Sequence, residues 1–218
     1  MSIKENLQKI KEDLPEHVEL VAVSKTKTTE EIKQAYDAGQ RIFGENKIQE
    51  MTEKWASLPK DIAWHMIGHV QRNKVKYMAP YVSLVHGVDS LKLLKEINKQ
   101  GRKNKRVIPC LLQMHIAREE TKFGLDEEEL QALIGSSEFR ELRNVQIKGL
   151  MGMATFTDKE EVVRQEFRYL KNLFDTLREV LPGLSILSMG MSGDYRIAVE
   201  EGSTMVRIGS SIFGERQK

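Results

Sequence analysis

Short runs of apolar residues recur along the chain and alternate with segments that have the apolar spacing of amphipathic helices. Eight such runs can be recognised, each with the length of a buried strand. The runs cover residues 19–25, 41–46, 63–68, 83–88, 107–115, 147–153, 185–192 and 205–209. Before the first run, Ile3, Leu7, Ile10 and Leu14 follow the spacing of a further helix. The pattern therefore predicts eight β-strands, most of them followed by a helix, and one extra helix at the N-terminus.

The predicted helices begin and end at residues that favour helix termini. Threonine, serine and aspartate precede them, and glycine or proline follows them. These signals place helices from Thr28 or Thr29 to Gly39, from Ser90 to Gly101, from Asp126 to Gly135, and from Asp158 to Pro182. No linker rich in proline, glycine or serine divides the chain, so residues 1–218 are expected to form a single domain.

Strands that alternate with helices indicate parallel pairing through βαβ crossovers. Two architectures fit this pattern, an open doubly wound sheet and a closed (β/α)8 barrel. The count of eight strands favours the barrel, and the extra N-terminal helix could cover its bottom. The first strand is not followed by the G-x-G-x-x-G pattern of dinucleotide-binding sheets. We therefore predict an α/β protein consisting of one TIM barrel with an extra N-terminal helix.

Composition and charge narrow the classes of protein to which the chain can belong. The 218 residues are 40% hydrophobic and 30% charged, and the net charge of +2 does not call for a nucleic-acid partner. No run reaches the roughly 18 apolar residues of a membrane helix, and the N-terminus lacks the apolar core of a signal peptide. The single cysteine, Cys110, suits a reducing compartment. We expect a cytoplasmic protein that contacts neither membrane nor nucleic acid.

Functional groups of a TIM barrel lie at the carboxyl ends of its strands. The first strand ends on Lys25, which is either exposed at the rim or held in a pocket. In a pocket, loss of hydration lowers the pKa of the amine and makes it a candidate nucleophile for an aldehyde. His65 and His69 have a spacing that suits a metal only on a helix, and Gly68 interrupts a helix there, so no metal site is predicted.

The last two strands carry features of a phosphate-binding site. Ser192 ends the seventh predicted strand and is followed by Gly193, and Gly209 ends the eighth and is followed by Ser210. Small residues at these two positions let backbone N–H groups approach an anion, and phosphate sites of this fold commonly use these two loops. Arg207 shares a strand face with Gly209 and needs an acceptor, which could be a structural carboxylate or a pyridine nitrogen. A lysine that can bind an aldehyde, a phosphate site and an arginine that can face a ring nitrogen are together the groups expected to bind pyridoxal 5′-phosphate (PLP).

Six segments match the signatures of a known family in the expected order. They are VAVSKTKTTEEI, FGENKIQE, WHMIGHVQRNK, ETKFGL, LMGMATF and SMGMSGDYRIAVEEGSTMVRIGSSIFG. Over essentially its whole length, the chain resembles the PLP homeostasis proteins, also called the YggS/PROSC or PLP-binding-protein family. The resemblance implies a fold-type III barrel like the N-terminal domain of alanine racemase. Few residues follow the eighth predicted strand, so we expect the chain to lack the β-rich second domain that supplies that enzyme's catalytic tyrosine.

The resemblance also implies the cofactor and its contacts. PLP is expected as a covalent imine on Lys25, with Arg207 facing the pyridine nitrogen. Ser192, Gly209 and Ser210 are expected to bind the phosphate, and Asn46 is expected beside the cofactor.

Three functions remain open on these residues: a non-catalytic PLP-binding protein of vitamin B6 homeostasis, a PLP-dependent amino-acid racemase, and a Schiff-base aldolase without PLP. A protonated arginine keeps the ring nitrogen unprotonated, which makes the ring a weaker electron sink and favours the first. The aldolase leaves Arg207 without a role. We expect a monomer that has PLP-dependent apoenzymes as possible partners.

Overall fold

The computed structural model describes residues 2–119 and 123–214. Its strands are β1 (Glu19–Val23), β2 (Ile42–Glu45), β3 (Ala63–Met66), β4 (Leu84–Val88), β5 (Ile108–Met114), β6 (Val145–Gly152), β7 (Ile186–Ser188) and β8 (Met205–Ile208). Each strand pairs in parallel with the next, and β8 pairs with β1, so that the sheet closes. The predicted α/β barrel is confirmed.

Helices surround the barrel. They are α1 (Ile3–Asp13), α2 (Thr29–Asp37), α3 (Ile48–Ser57), α4 (Val75–Met78), α5 (Leu91–Lys103), α6 (Glu127–Gly135), α7 (Ser137–Arg140), α8 (Glu160–Val180), α9 (Tyr195–Glu200) and α10 (Ser210–Phe213). A 3-10 turn, Arg72–Lys74, precedes α4. None of the helices in the described part of the chain combines the length and the apolar character needed to cross a membrane.

Capping residues explain where several helices begin. Thr28 precedes α2, and its hydroxyl accepts a hydrogen bond from the backbone N–H of Glu31, whose carboxylate accepts one from the N–H of Thr28. Asp126 and Glu129 form the same reciprocal arrangement at α6. Each pair satisfies two N–H groups that have no partner within the helix. The predicted starts of α2 and α6 are therefore confirmed.

Gly101 does not end α5, which continues to Lys103, so the predicted end of this helix is wrong. A Cβ atom at Gly101 would lie 2.7 Å from the carbonyl oxygen of Asn144. The glycine is needed because the helix packs closely against the segment before β6, which a sequence pattern cannot distinguish from helix termination.

Two other elements differ from the predictions made from the sequence. β7 is shorter than the predicted 185–192 run, because Gly190 takes a left-handed conformation with φ of +98° and turns the chain out of the sheet. The N-terminal helix α1 packs against α2 and α10 and so joins the outer ring of helices rather than covering the bottom.

Side chains fill the interior of the barrel in layers. An apolar cluster fills its lower part and consists of Val21, Leu84, Leu111, Met151 and Met205. Since side chains alternate along a strand, the residues two positions further on also point inward, one layer closer to the carboxyl ends. In this second layer several side chains are polar, and it forms the floor of the candidate site.

Candidate functional site

A cavity of about 530 Å³ opens at the carboxyl ends of the strands. All six residues that the sequence predicted for a cofactor line this cavity: Lys25, Asn46, Ser192, Arg207, Gly209 and Ser210. They come from β1, β2, β7 and β8 or from the loops that follow these strands. Closure of the barrel brings together groups separated by up to about 185 positions in the chain.

Lys25 is half-buried and lies two residues beyond the end of β1. Ser24 before it is fully buried, and its N–H donates to the carbonyl of Gly44 on β2. Thr26 after it has a left-handed backbone with φ of 65°. This conformation is rare for a β-branched residue, so the chain is strained directly beside the candidate nucleophile.

Lys27 also lines the cavity, but its ammonium group has other partners. Its Nζ donates to the carbonyl of Phe213 over 3.1 Å and lies 3.4 Å from the carboxylate of Glu31. The amine of Lys27 is therefore held by residues of α2 and α10.

Asn46 follows β2 and lies against Gly68, which follows β3. A Cβ atom at Gly68 would lie 2.4 Å from the carbonyl oxygen of Asn46. Only a residue without a side chain permits this close approach of the two loops. Gly68 therefore fixes the position from which the side chain of Asn46 reaches the cavity.

Ser192, Gly209 and Ser210 form one wall of the cavity. The hydroxyl of Ser192 accepts a hydrogen bond from the N–H of Gly209 over 3.3 Å, which links the loops that follow β7 and β8. Gly193 adds backbone without a side chain to the same wall, and a Cβ atom there would meet no atom within 4 Å. Hydroxyl and N–H groups on two adjoining loops are the donors that a phosphate group requires.

Arg207 lies at the floor of the cavity and is only 3% exposed. Its Nη1 donates to the carbonyl and the hydroxyl of Ser188, over 2.9 and 2.6 Å, and its Nη2 donates to the carbonyl of Gly152 over 3.1 Å. All three of these partners are neutral oxygen atoms. Burial lowers the pKa of Arg207 to about 10, although the charge of Asp194 opposes the shift. The guanidinium therefore stays charged at neutral pH, and its three hydrogen bonds fix its position at the floor of the cavity.

A chain of buried polar side chains continues from Arg207 into the barrel. The hydroxyl of Ser188 lies 3.0 Å from Nδ1 of His86, and Nε2 of His86 lies 3.1 Å from Nδ1 of His65. Burial lowers the pKa of His65 to about 3. The pKa of His86 is also well below its ordinary value, through burial and then through the charges of His65 and Arg207. Both rings are therefore neutral at physiological pH, and Arg207 carries the positive charge.

Residues with exposed apolar surface surround the mouth of the cavity. The ring of His69 stacks on Phe123 with centroids 4.1 Å apart. Phe156 is 97% exposed, and Met153 and Met191 also line the opening. Residues 120–122, which belong to the ETKFGL segment, lie outside the described residues. Within the described ranges, no group of three or more His, Cys, Asp or Glu side chains is placed to hold a metal ion.

Ser188, His86 and His65 were missed as site residues, although a usable signal existed. The rule that put Arg207 two positions after the inward-facing Met205 also puts His86 two positions after the inward-facing Leu84. Polar side chains at inward positions of several strands indicate a polar layer. The sequence does not show that these side chains are close in space, because Ser188 is 102 positions from His86 in the chain.

Comparison with known proteins agrees with this geometry. The model of the alanine racemase N-terminal domain family matches residues 1–217. A protein of Aquifex aeolicus named pyridoxal phosphate homeostasis protein is 42% identical over 200 residues, which are 91% of this chain and 87% of the relative. A protein of Pasteurella multocida with the same name is 38% identical over 99% of this chain and 98% of the relative. The chain belongs to the pyridoxal phosphate homeostasis protein family.

Solved structures place this family within a larger fold group. PipY of Synechococcus elongatus, a structure with PLP bound, superposes with a TM-score of 0.90 at 34% identity and covers 98% of this chain and 100% of its own. Alanine racemase of Clostridium difficile has a TM-score of 0.80 at 17% identity, and all of this chain matches 56% of the enzyme. The racemase thus shares the barrel fold with the pyridoxal phosphate homeostasis protein family.

Proposed function

We propose that this protein binds PLP covalently through the amine of Lys25 and acts in PLP homeostasis as a holder of the cofactor, without strong catalytic turnover. Family membership supports the PLP-binding and homeostasis role. The observation that carries the binding mode is the placement of Lys25, Arg207 and the Ser192–Ser210 wall around one cavity. Each part of the cofactor has a complementary group there.

The residues present fit PLP group by group. The amine of Lys25 matches the aldehyde, and the guanidinium of Arg207 matches the pyridine nitrogen as a donor. Ser192, Gly209 and Ser210 match the phosphate, and Asn46 would lie beside the ring. When bound, PLP supplies an aldehyde that condenses with an amine and a ring that can withdraw electrons.

The environment of Arg207 favours storage over catalysis. Three neutral oxygen atoms accept hydrogen bonds from its guanidinium, and the nearby histidines are neutral, so Arg207 keeps its proton. A donor that keeps its proton leaves the ring nitrogen as an acceptor, and an unprotonated ring stabilises a neighbouring negative charge poorly. The polar layer under the cavity would thus hold a bound ring in its less reactive form.

A racemase also needs a second acid or base across from the lysine. Among the described residues that line the cavity, none is a tyrosine. The ring of His69 is held at the mouth of the cavity, because it stacks on Phe123 and its Nδ1 lies 3.3 Å from a carboxylate oxygen of Asp89. These features support the holder over the racemase.

The test is to purify the protein without added cofactor, record its visible absorbance, and then supply each enantiomer of alanine. The parent and Lys27→Ala should both carry a PLP absorbance band, and Lys25→Ala should have lost it. None of the three should interconvert the enantiomers at rates typical of enzymes, about 1–10³ s⁻¹. Turnover in that range by the parent would reject the holder and establish the racemase.

The proposal extends to the state in which the protein acts. Residues 1–218 act as one PLP-binding domain, as a monomer in the cytoplasm, without membrane or nucleic-acid partners.

PLP-dependent apoenzymes receive the cofactor, and the exposed Phe123 and Phe156 at the mouth lie where a receiving protein would make contact. Transfer that is faster than release of PLP into buffer would support direct delivery. Equal rates would reject it.

A further inference from the structure

The loop that carries Lys25 is held from behind by a buried charged cluster. The cluster consists of Glu45 at the end of β2 and of Glu50 and Lys54 on α3. Lys54 is 6% exposed, and its Nζ donates to the carboxylates of Glu45 and Glu50 over 2.8 and 2.7 Å. The cluster lies on the outer side of the sheet and does not line the cavity.

The cluster contacts the backbone on both sides of Lys25. The ammonium group of Lys54 also donates to the carbonyl of Ser24 over 2.8 Å, and the hydroxyl of Ser24 donates to Glu45 over 2.6 Å. The N–H of Thr26 donates to Glu50 over 2.6 Å. Ser24 and Thr26 are thus bound to three charged side chains, and Lys25 stands between them.

The cluster is poorly arranged for stability alone. Glu45 is fully buried, burial raises its pKa, and its Oε2 has no hydrogen-bond partner among the described residues. Burial alone would also raise the pKa of Glu50, but hydrogen bonds from Lys54 and from the N–H of Thr26 hold it below its ordinary value. Buried ion pairs often stabilise a fold no better than apolar side chains of similar size. A positional task accounts for these charges, because Thr26 has the strained φ of 65° that directs the loop.

We propose that Glu45, Lys54 and Glu50 are positioning residues that hold Ser24 and Thr26 so that the amine of Lys25 reaches the cavity. This inference rests on the proposed covalent binding of PLP. Without the cluster, Thr26 relaxes to a negative φ and Lys25 leaves the cavity. Covalent attachment of PLP then requires Thr26 to return to the strained conformation. The energy needed for this return lowers the affinity for PLP.

Two probes separate positioning from general damage. PLP needs Lys25, whereas pyridoxine 5′-phosphate lacks the aldehyde and needs only the ring and phosphate contacts. Glu50→Ala should weaken the binding of PLP about five- to thirtyfold. This factor corresponds to the energy that a non-glycine residue needs to adopt a left-handed conformation. The affinity of this variant for pyridoxine 5′-phosphate should be unchanged. Glu50→Gln, which keeps an acceptor oxygen for the N–H of Thr26, should recover part of the PLP affinity that Glu50→Ala loses. Glu53→Ala, at an exposed site on the same helix, should behave as the parent.

Two further variants keep the test decisive if single substitutions disturb folding. Glu45→Leu with Lys54→Met removes both buried charges together and should keep the melting temperature while weakening PLP selectively. Thr26→Gly in the Glu50→Ala background should recover part of the PLP affinity, since glycine adopts a positive φ without strain. Equal losses for both probes, or no loss for either, would overturn the positioning role. If the parent itself forms no covalent bond at Lys25, the proposed function is wrong. If the parent forms this bond but the variants lose neither probe selectively, only the positioning role is wrong.

Discussion

Lowering the pH from about 8 to about 5 should destabilise the folded protein through the two histidines beneath the cavity. His65 and His86 are 5% and 0% exposed and contact each other over 3.1 Å. Burial keeps both rings neutral in the folded state, and a proton on His86 would also add a charge that the charge of Arg207 disfavours. In the unfolded chain both rings are hydrated and accept protons near the ordinary pKa of 6.5.

The sign and the size of the effect follow from this difference. Below pH 6.5 the unfolded state binds protons that the folded state does not, so the free energy of unfolding falls as the pH falls from 6.5 towards the pKa of about 3 for His65. One pKa unit corresponds to about 1.4 kcal/mol, so a histidine kept neutral at pH 5 contributes a loss of about 2 kcal/mol. Above pH 6.5 both states are neutral and the contribution is constant.

Urea denaturation of the PLP-free protein at the two pH values measures this loss. His65→Asn should lose about 2 kcal/mol less than the parent between pH 8 and pH 5, because one of the two histidines is gone. Carboxylates such as Glu45, with its raised pKa, titrate in both proteins and cancel in the comparison. His17→Asn, at an exposed position, should match the parent. If the parent and His65→Asn show the same loss, His65 is not kept neutral by burial.

Two further substitutions test the walls of the cavity. Ser192→Ala with Ser210→Ala should weaken PLP more than pyridoxal, by about 1.5–3 kcal/mol for each lost hydrogen bond to the charged phosphate, and equal losses in titrations with the two ligands would place the phosphate elsewhere. Gly68→Ala should lower stability by about 1–3 kcal/mol, because its methyl group would lie 2.4 Å from the carbonyl oxygen of Asn46. Gly135→Ala, where a Cβ atom meets nothing within 4 Å, is the matched control, and equal melting temperatures would refute the close approach.

The barrel and the cavity could be predicted because their signals are local. Apolar runs mark strands, and the rule that side chains alternate along a strand places Lys25 and Arg207 inside. Parallel closure then brings the strand ends together without further information. Arg207 also illustrates the limit, since its position could be predicted but its neutral partners, Ser188 and Gly152, could not.

The parts that could not be predicted depend on contacts between distant segments. The sequence shows Glu45 within FGEN but not that Lys54 reaches it across the interface between sheet and helix. Gly101 has the same appearance as a residue that ends a helix, and only the neighbouring Asn144 shows its packing role. In both cases the decisive partner lies on another element, and its distance is set by the closed barrel.

The most direct test of the proposed function is to locate the covalent bond to the cofactor. The protein is saturated with PLP, reduced with borohydride and digested, and the modified peptide is sequenced by mass spectrometry. We expect one phosphopyridoxyl group per chain, on Lys25, and none on Lys27, whose ammonium group is held by Phe213 and Glu31. A modification on Lys27, or one spread over surface lysines, would contradict it.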